Sequence, residues 1–138
     1  MTTLRSASKV QRVWHQFSMQ IEVWESYFVR QKTALQQPTT PGQTAFAMLL
    51  HFESMITVFD TWAAVPGIVA YIKNQAGDQA FDVIANIQSI RAAMAAGRDA
   101  LIALIPDRTP AVISATTFTA AQMAPVVAEI DAITSVLG

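Results

Sequence analysis

Two pairs of acidic residues have a spacing that could support acid–base chemistry. Glu22 and Glu25 fall on one face of a predicted helix, and Glu53 and Asp60 fall on one face of another. Neighbouring carboxylates can act as a general acid and a general base when a pocket holds their pKa values apart. Without such a pocket, acidic strips of this kind are typical of solvated helix surfaces. We therefore predict no catalytic residues and expect that the chain is not an enzyme.

The residue types that most often bind metals are few. The chain has no cysteine and two histidines, His15 and His51. Neither histidine has a second histidine or a glutamate at the helical spacing that builds a metal site. Isolated histidines of this kind usually have a structural or solvent-exposed role. We predict no metal site and no cofactor.

A basic face near the start of the chain is formed by Arg5, Lys9 and Arg12, spaced four and three residues apart. Three charges neutralise too few phosphates for useful nucleic-acid affinity at physiological salt, so we expect no nucleic-acid partner. A solvated face is one interpretation and an acidic protein partner is the other. Residues 1 to 37 hold five Lys or Arg and two Glu, whereas residues 38 to 138 hold four Arg or Lys and eight Asp or Glu. The basic first helix could therefore meet an acidic surface on its own chain or on a neighbour.

The tryptophans are the candidate anchors for packing and for partner contacts. Trp14 and Trp24 lie in an apolar helical stripe, which is typical of core residues. Trp62 borders the polar strip that contains Asp60, immediately before a Pro-Gly pair, and large aromatic residues in such places often anchor interfaces. The predicted interface residues are Arg5, Lys9, Arg12, Trp62, Pro66 and Gly67.

The elements that would position these residues are helices. From Leu4 to Gln37 the chain has no Gly or Pro, and its apolar residues recur at alternating spacings of four and three, which predicts one long helix. The segment QQPTTPGQT ends this helix, and Thr40 followed by Pro41 has the pattern of a cap and a first-turn proline for a second helix. Pro66 and Gly67 predict a kink or a break, after which the helix resumes through Ile68 to Gln75.

The second half of the chain predicts two further helices. In NQAGD, Gly77 suits the end of one helix and Asp78 suits the cap of the next, which Pro106 ends. The segment AVIS could add a short strand, and Thr119 with Gln122 has the spacing of a capping box. Because Pro125 lies within the last helix, we expect that helix to start irregularly or late.

The predicted fold is all-α, a single domain over residues 1–138. Four amphipathic helices with short links indicate a four-helix bundle, mostly antiparallel, with a long first helix and a Pro-Gly kink after the second.

The composition indicates more apolar side chains than one small domain usually buries. Hydrophobic residues make up 52% of the chain and charged residues 14%, against a usual charged share of about 25%. This excess predicts burial against other subunits or lipid. The residues from Met55 to Ile72 hold one charge, Asp60, but a central carboxylate and Pro66 both disfavour a membrane span, so we expect none. The start of the chain lacks the apolar region of a secretory signal, and we expect a cytoplasmic origin.

The segments WAAVPGIVAYIKNQAGDQAFDVIANIQSIRAAM, IALIPD and TFTAAQMAPVVAEIDAI carry a resemblance. They are similar to small uncharacterised helical proteins encoded among the structural genes of tailed bacteriophages, over about Trp62 to Ile133. The resemblance implies a virion component, in the tail or at the head-to-tail junction, and carries no catalytic motif.

The expected function is therefore that of a non-enzymatic virion structural protein, made in the host cytoplasm, that packs by helical surfaces against its own copies as a homo-oligomer and against other virion proteins. Two alternatives stay open at this point. One is a small phage membrane pore of the holin type, and the other is a small regulatory protein that binds a host protein.

Overall fold

A computed structural model describes the backbone of residues 4–76 and 80–137, with side chains at residues 15, 19, 20, 23–74 and 85–136. The described chain is mostly helical and contains one small antiparallel sheet, which agrees with the predicted all-α class. The elements in chain order are α1 (Leu4–Leu35), β1 (Thr39–Pro41), α2 (Gly42–Ala63), α3 (Ile68–Ala76), α4 (Ala80–Leu104), α5 (Pro110–Ala115), β2 (Thr117–Thr119) and α6 (Ala120–Leu137).

The first helix has the predicted length, with 32 residues in α1. Its apolar stripe is buried in the second half of the helix, at Trp24, Phe28 and Leu35. Trp24 is thus a core residue, as predicted, whereas the side chain of Trp14 lies outside the described residues. Lys32 in the last turn forms an ion pair with Asp131 of α6, with 2.6 Å between Nζ and Oδ1. One contact of the predicted kind therefore joins the basic first helix to the acidic part of the same chain.

The core is shared among α1, α2, α4 and α6. α4 packs along both α6 and α2, α1 packs mainly along α6, and α3 packs on α4. Aromatic rings connect α1 to α2: the centroids of Trp24 and Phe59 are 5.4 Å apart, and those of Phe28 and Phe52 are 5.8 Å apart. α4 and α6 each bury one apolar face in this core, at Ile87, Ile90, Met94, Leu101, Ile105, Val126, Ile130 and Ile133.

The predicted cap at Thr40 is wrong, because Thr40 belongs to β1. In the two-stranded sheet, Thr40 lies opposite Phe118, and the flanking pairs are Thr39 with Thr119 and Pro41 with Thr117. Thr40 is fully buried, and its hydroxyl makes no cap bond to α2. The strand partner comes from a distant part of the chain, and that pairing overrides the local capping signal.

The strand predicted at AVIS is also wrong. These residues lie in α5, and the strand forms directly after it at Thr117–Thr119. Gly42 permits this arrangement, because its N–H donates to the carbonyl of Thr116 over 2.7 Å and a Cβ at Gly42 would lie 2.3 Å from the carbonyl oxygen of Ile113. α5 therefore packs directly on the start of α2.

The capping box that opens α6 is confirmed. The side-chain oxygen of Gln122 accepts from the N–H of Thr119 over 2.8 Å, and the hydroxyl of Thr119 accepts from the N–H of Gln122 over 3.2 Å. The expected late or irregular start is wrong, since α6 begins at Ala120 and continues through Pro125. Pro125 and Ala121, whose carbonyl would have accepted the missing N–H, are both exposed, so water can satisfy that carbonyl.

The Pro-Gly pair separates two helices. α2 ends at Ala63, α3 begins at Ile68, and the two axes meet at 79°. Gly67 has φ 82°, in the left-handed region that side chains with a Cβ rarely adopt. The chain therefore turns sharply at Gly67 and starts a new helix, which is the break that the sequence predicted. The predicted roles of Gly77 and Asp78 lie outside the described residues.

Candidate binding site at the helix break

A cavity of about 140 Å³ lies beside the break between α2 and α3. Three helices enclose it, because the 79° turn brings α3 back across the end of α2 and both pack against α4. The lining residues are Phe59, Asp60, Trp62, Ala63, Ile68, Val69, Ile72, Ile87, Gln88 and Arg91.

The lining of the cavity is mostly apolar, and Asp60, Gln88 and Arg91 are its polar members. Trp62 contributes from the last turn of α2, Ile68 and Ile72 from α3, and Ile87 from α4. All four side chains are at most 9% exposed. Val69, in contrast, is 48% exposed and lies where the cavity meets the surface. The arrangement can accept an apolar group, with its inner side against the buried walls and its outer side at the mouth.

An ion pair flanks the cavity. Arg91 donates from Nε to Oδ1 of Asp60 over 2.7 Å and from Nη2 to Oδ2 over 3.0 Å, which is the two-bond geometry of a guanidinium with a carboxylate. These bonds hold the pKa of Asp60 below its usual value and raise the pKa of Arg91. Both side chains are about half exposed, so solvent screens the pair. The pair therefore orients the two side chains and leaves no net charge there.

The predicted carboxylate pairs do not assemble a catalytic site in the described part of the chain. Glu53 accepts from Arg108 over 2.8 Å, whereas Asp60 is paired with Arg91, so each carboxylate has its own arginine. The side chain of Glu22 lies outside the described residues. The described geometry gives no acid–base pair facing a common pocket.

The predicted interface residues fall into two groups. Trp62 lines the cavity, with 9% of its surface exposed, and Pro66 and Gly67 are exposed in the adjoining turn. These three are brought together at one end of α2. Arg5, Lys9 and Arg12 lie in α1, and their side chains are outside the described residues. The role of all six in an interface stays a prediction.

His51 forms a contact that sequence reasoning did not anticipate. Its Nδ1 is hydrogen-bonded to the hydroxyl of Tyr27 on α1, and the two rings meet edge to face at 5.0 Å. The Tyr27 hydroxyl also lies 3.4 Å from the sulfur of Met48. Burial raises the pKa of Tyr27 to about 12, so the phenol is neutral at physiological pH. This polar contact joins α1 to α2 and supports a structural role for His51.

Metal binding has no structural support in the described part of the chain. No three His, Asp or Glu side chains there are grouped so that they could hold an ion. His15 is exposed on α1.

Arg91 is a charged residue of this candidate site that the sequence prediction missed. One signal could have found it: Asp60 is the single charge in an apolar stretch and needs a basic partner, and the chain after residue 37 offers only four. The cavity itself had no sequence signal, because it depends on the angle between α2 and α3.

The fold and the site together define a mostly helical protein with an apolar cavity at a helix break. Comparisons of the chain with protein-family models, with curated proteins and with solved structures found no match. Among the described residues no single helix is long and apolar enough to cross a membrane, although α2 and α3 together would pass by length and composition as a bent pair.

Proposed function

We propose that this chain is a non-enzymatic structural protein of a bacteriophage virion, in the tail or the head-to-tail region. It assembles through helical surfaces with copies of itself and with other virion proteins, binds no nucleic acid and is made in the host cytoplasm. The resemblance to small helical phage proteins supplies the context. The observation that carries the assembly itself is the length of α1 relative to the helices that pack on it.

The proposed architecture is a four-helix bundle of α1, α2, α4 and α6, mostly antiparallel. Two ring contacts support an antiparallel arrangement of α1 and α2. Trp24 contacts Phe59, and one turn further along α1 Phe28 contacts Phe52, which precedes Phe59 in α2. The sheet supports an antiparallel arrangement of α1 and α6 as well. β1 follows α1 and β2 precedes α6, so their pairing puts the end of one helix beside the start of the other.

In this bundle α1 is longer than its neighbours. Its 32 residues span about 48 Å, whereas the 22 residues of α2 span about 33 Å and the 18 residues of α6 about 27 Å. All three meet at the sheet, so α1 extends roughly 15 Å or more past the far ends of the other two. Its apolar spacing continues toward the N-terminus in the sequence. A second copy is the partner we propose for this extension, because repeated subunits bury such stripes against each other.

Exposed apolar side chains also mark the opposite side of α1 from its apolar stripe, where Met19 and Val23 share a helical face with Arg5 and Arg12. Met19 and Val23 are four residues apart on α1 and are 57% and 64% exposed. Val29 on the same helix is 56% exposed. Exposed apolar groups on one helix are a common feature of subunit interfaces.

The test is a measurement of mass in solution. The full chain, purified without detergent, should give a light-scattering mass of at least twice the 15.0 kDa of one chain. A Met19→Glu, Val23→Glu double variant should shift to a smaller assembly, because it places two charges on the exposed face that these residues share with Arg5 and Arg12. Val112→Glu is the matched control, since Val112 is 43% exposed on α5, away from α1, and its mass should equal that of the parent.

Two results would contradict this proposal. A parent chain of 15.0 kDa at every concentration would remove self-assembly. An unchanged mass for the double variant and for Arg5→Glu would remove this face of α1 as the contact. Co-sedimentation of the chain with phage particles in an infected-cell lysate tests the virion assignment separately.

A membrane pore is the second candidate, favoured by the bent α2 and α3 pair. Nine residues of α2 are buried within the chain, which argues for a core helix. The membrane pellet of the same preparation decides the matter. Protein found only there, and released only by detergent, would favour the pore.

A further inference from the structure

We infer that the cavity beside the helix break is a binding site for one small, uncharged, apolar molecule about the size of a benzene ring. The inference does not depend on the proposed virion role. It rests on the volume of the cavity, on its walls and on the ion pair beside it.

The volume sets the size of the ligand. The cavity measures about 140 Å³. Engineered protein cavities of about 150 Å³ with Leu, Ile and Phe walls bind benzene. A single ring or a short branched alkyl group therefore fills the site.

The walls set the polarity of the ligand. Ile68, Ile72 and Ile87 are at most 8% exposed, and together with Phe59 and Trp62 they supply the apolar contacts. Moving a charge into such surroundings has a large desolvation cost. The opposite charges of Asp60 and Arg91 neutralise each other, so the pair offers no net charge with which to recover that cost. Charged analogues of the ligand should therefore bind much more weakly than the neutral compound.

The mouth gives the ligand access. Ala63 and Val69 line the cavity and are both exposed, which places them between the apolar walls and the solvent. The ligand can enter past these two side chains without unfolding α2 or α3. Larger side chains at either position would close the site while leaving the buried core unchanged.

The test uses the full chain with its isoleucine δ-methyl groups labelled for NMR, titrated with benzene. Saturable chemical-shift changes should appear at Ile68, Ile72 and Ile87, and the signals of Ile130 and Ile133, buried elsewhere along α6, should not move. Benzoate and benzylamine should give apparent Kd values at least about tenfold higher than benzene.

Two variants separate the cavity from non-specific binding. Ala63→Phe should abolish the saturable shifts, because its ring occupies the mouth. Ala64→Phe is the matched control, since Ala64 is exposed and adjacent but does not line the cavity, and it should bind benzene as the parent does. Val69→Phe closes the mouth from α3 and replaces Ala63→Phe if that variant does not fold.

Several results would overturn the inference. The first is the absence of saturable shifts in the parent up to the solubility of benzene. The second is equal binding by the parent and by a folded, mouth-closing variant. The third is equal affinity for benzene and benzoate, which would show that the walls do not select for an uncharged ligand. None of these readouts depends on oligomeric mass, so failure here and failure of the proposed assembly are distinguishable.

Discussion

Replacing Thr40 by valine should stabilise the protein, although it removes a polar group from a β-strand. Thr40 is fully buried in β1, and its hydroxyl has no hydrogen-bond partner among the described residues. A buried, unpaired hydroxyl costs about 1 to 3 kcal/mol in proteins. Valine keeps the branched shape that suits a strand and carries no polar atom.

The expected gain for Thr40→Val is about 1 kcal/mol or more in the free energy of unfolding. For a chain of this size that corresponds to a rise in Tm of about 3 °C per kcal/mol. Urea unfolding followed by circular dichroism measures both the midpoint and the slope, and an unchanged slope would show that the unfolded reference is unaltered.

Thr39→Val is the matched control for this experiment. Thr39 lies in the same strand but is exposed, so its replacement should change the free energy of unfolding by less than about 0.5 kcal/mol. A loss of stability of about 1 kcal/mol or more in Thr40→Val would refute the reasoning. It would show that the Thr40 hydroxyl is hydrogen-bonded in solution, for example to a buried water.

Three further substitutions test other parts of the fold. Gly42→Ala should destabilise the chain by about 2 kcal/mol or more in urea unfolding, because the new Cβ would lie 2.3 Å from the carbonyl oxygen of Ile113 and two backbones would have to separate. Thr119→Ala should lower the free energy of unfolding by about 1 kcal/mol, because it removes the hydroxyl that accepts from the N–H of Gln122 at the start of α6. Tyr27→Phe should remove a phenol that ionises near pH 12, measured as the difference between the ultraviolet titrations of parent and variant.

The sign of the Tyr27 effect follows from its raised pKa. The value is 10.0 in an unperturbed tyrosine and about 12 in the folded chain, so its contribution to stability is complete below pH 10 and is lost as pH rises toward 12. Unfolding curves of parent and Tyr27→Phe should therefore converge across that interval. A Tyr27 that titrates at its ordinary pKa would contradict the burial seen between α1 and α2.

The control for Thr119→Ala is Thr117→Ala, on the same strand. Equal losses of stability in these two variants would argue against the capping box.

The helices were predictable because their signals are local. The stripe of α1, the break at Pro66 and Gly67, and the capping box at Thr119 each depend on residues within a few positions of one another.

Neither the sheet nor the cavity could be predicted from the sequence, and the physical reason is the same for both. Thr40 and Phe118 are distant in sequence, and the local pattern at Thr40 is that of a helix cap. The bond between Asp60 and Arg91 likewise joins two helices whose relative position no single segment determines. The cavity beside Trp62 also depends on the turn at Gly67, which brings α3 to the end of α2.

The three-residue pairing of β1 with β2 has a consequence for the order of folding. Closing a loop of roughly 75 residues costs about 4 kcal/mol in chain entropy. The few hydrogen bonds of so short a ladder contribute about 1 kcal/mol each, too little to offset that cost while the intervening helices are unformed. We therefore expect the two strands to pair after α1, α2 and α6 have packed together. Contacts that form last in folding also open most readily. The backbone amide hydrogens of β1 and β2 should therefore exchange with solvent through local openings, and faster than those of the helical core.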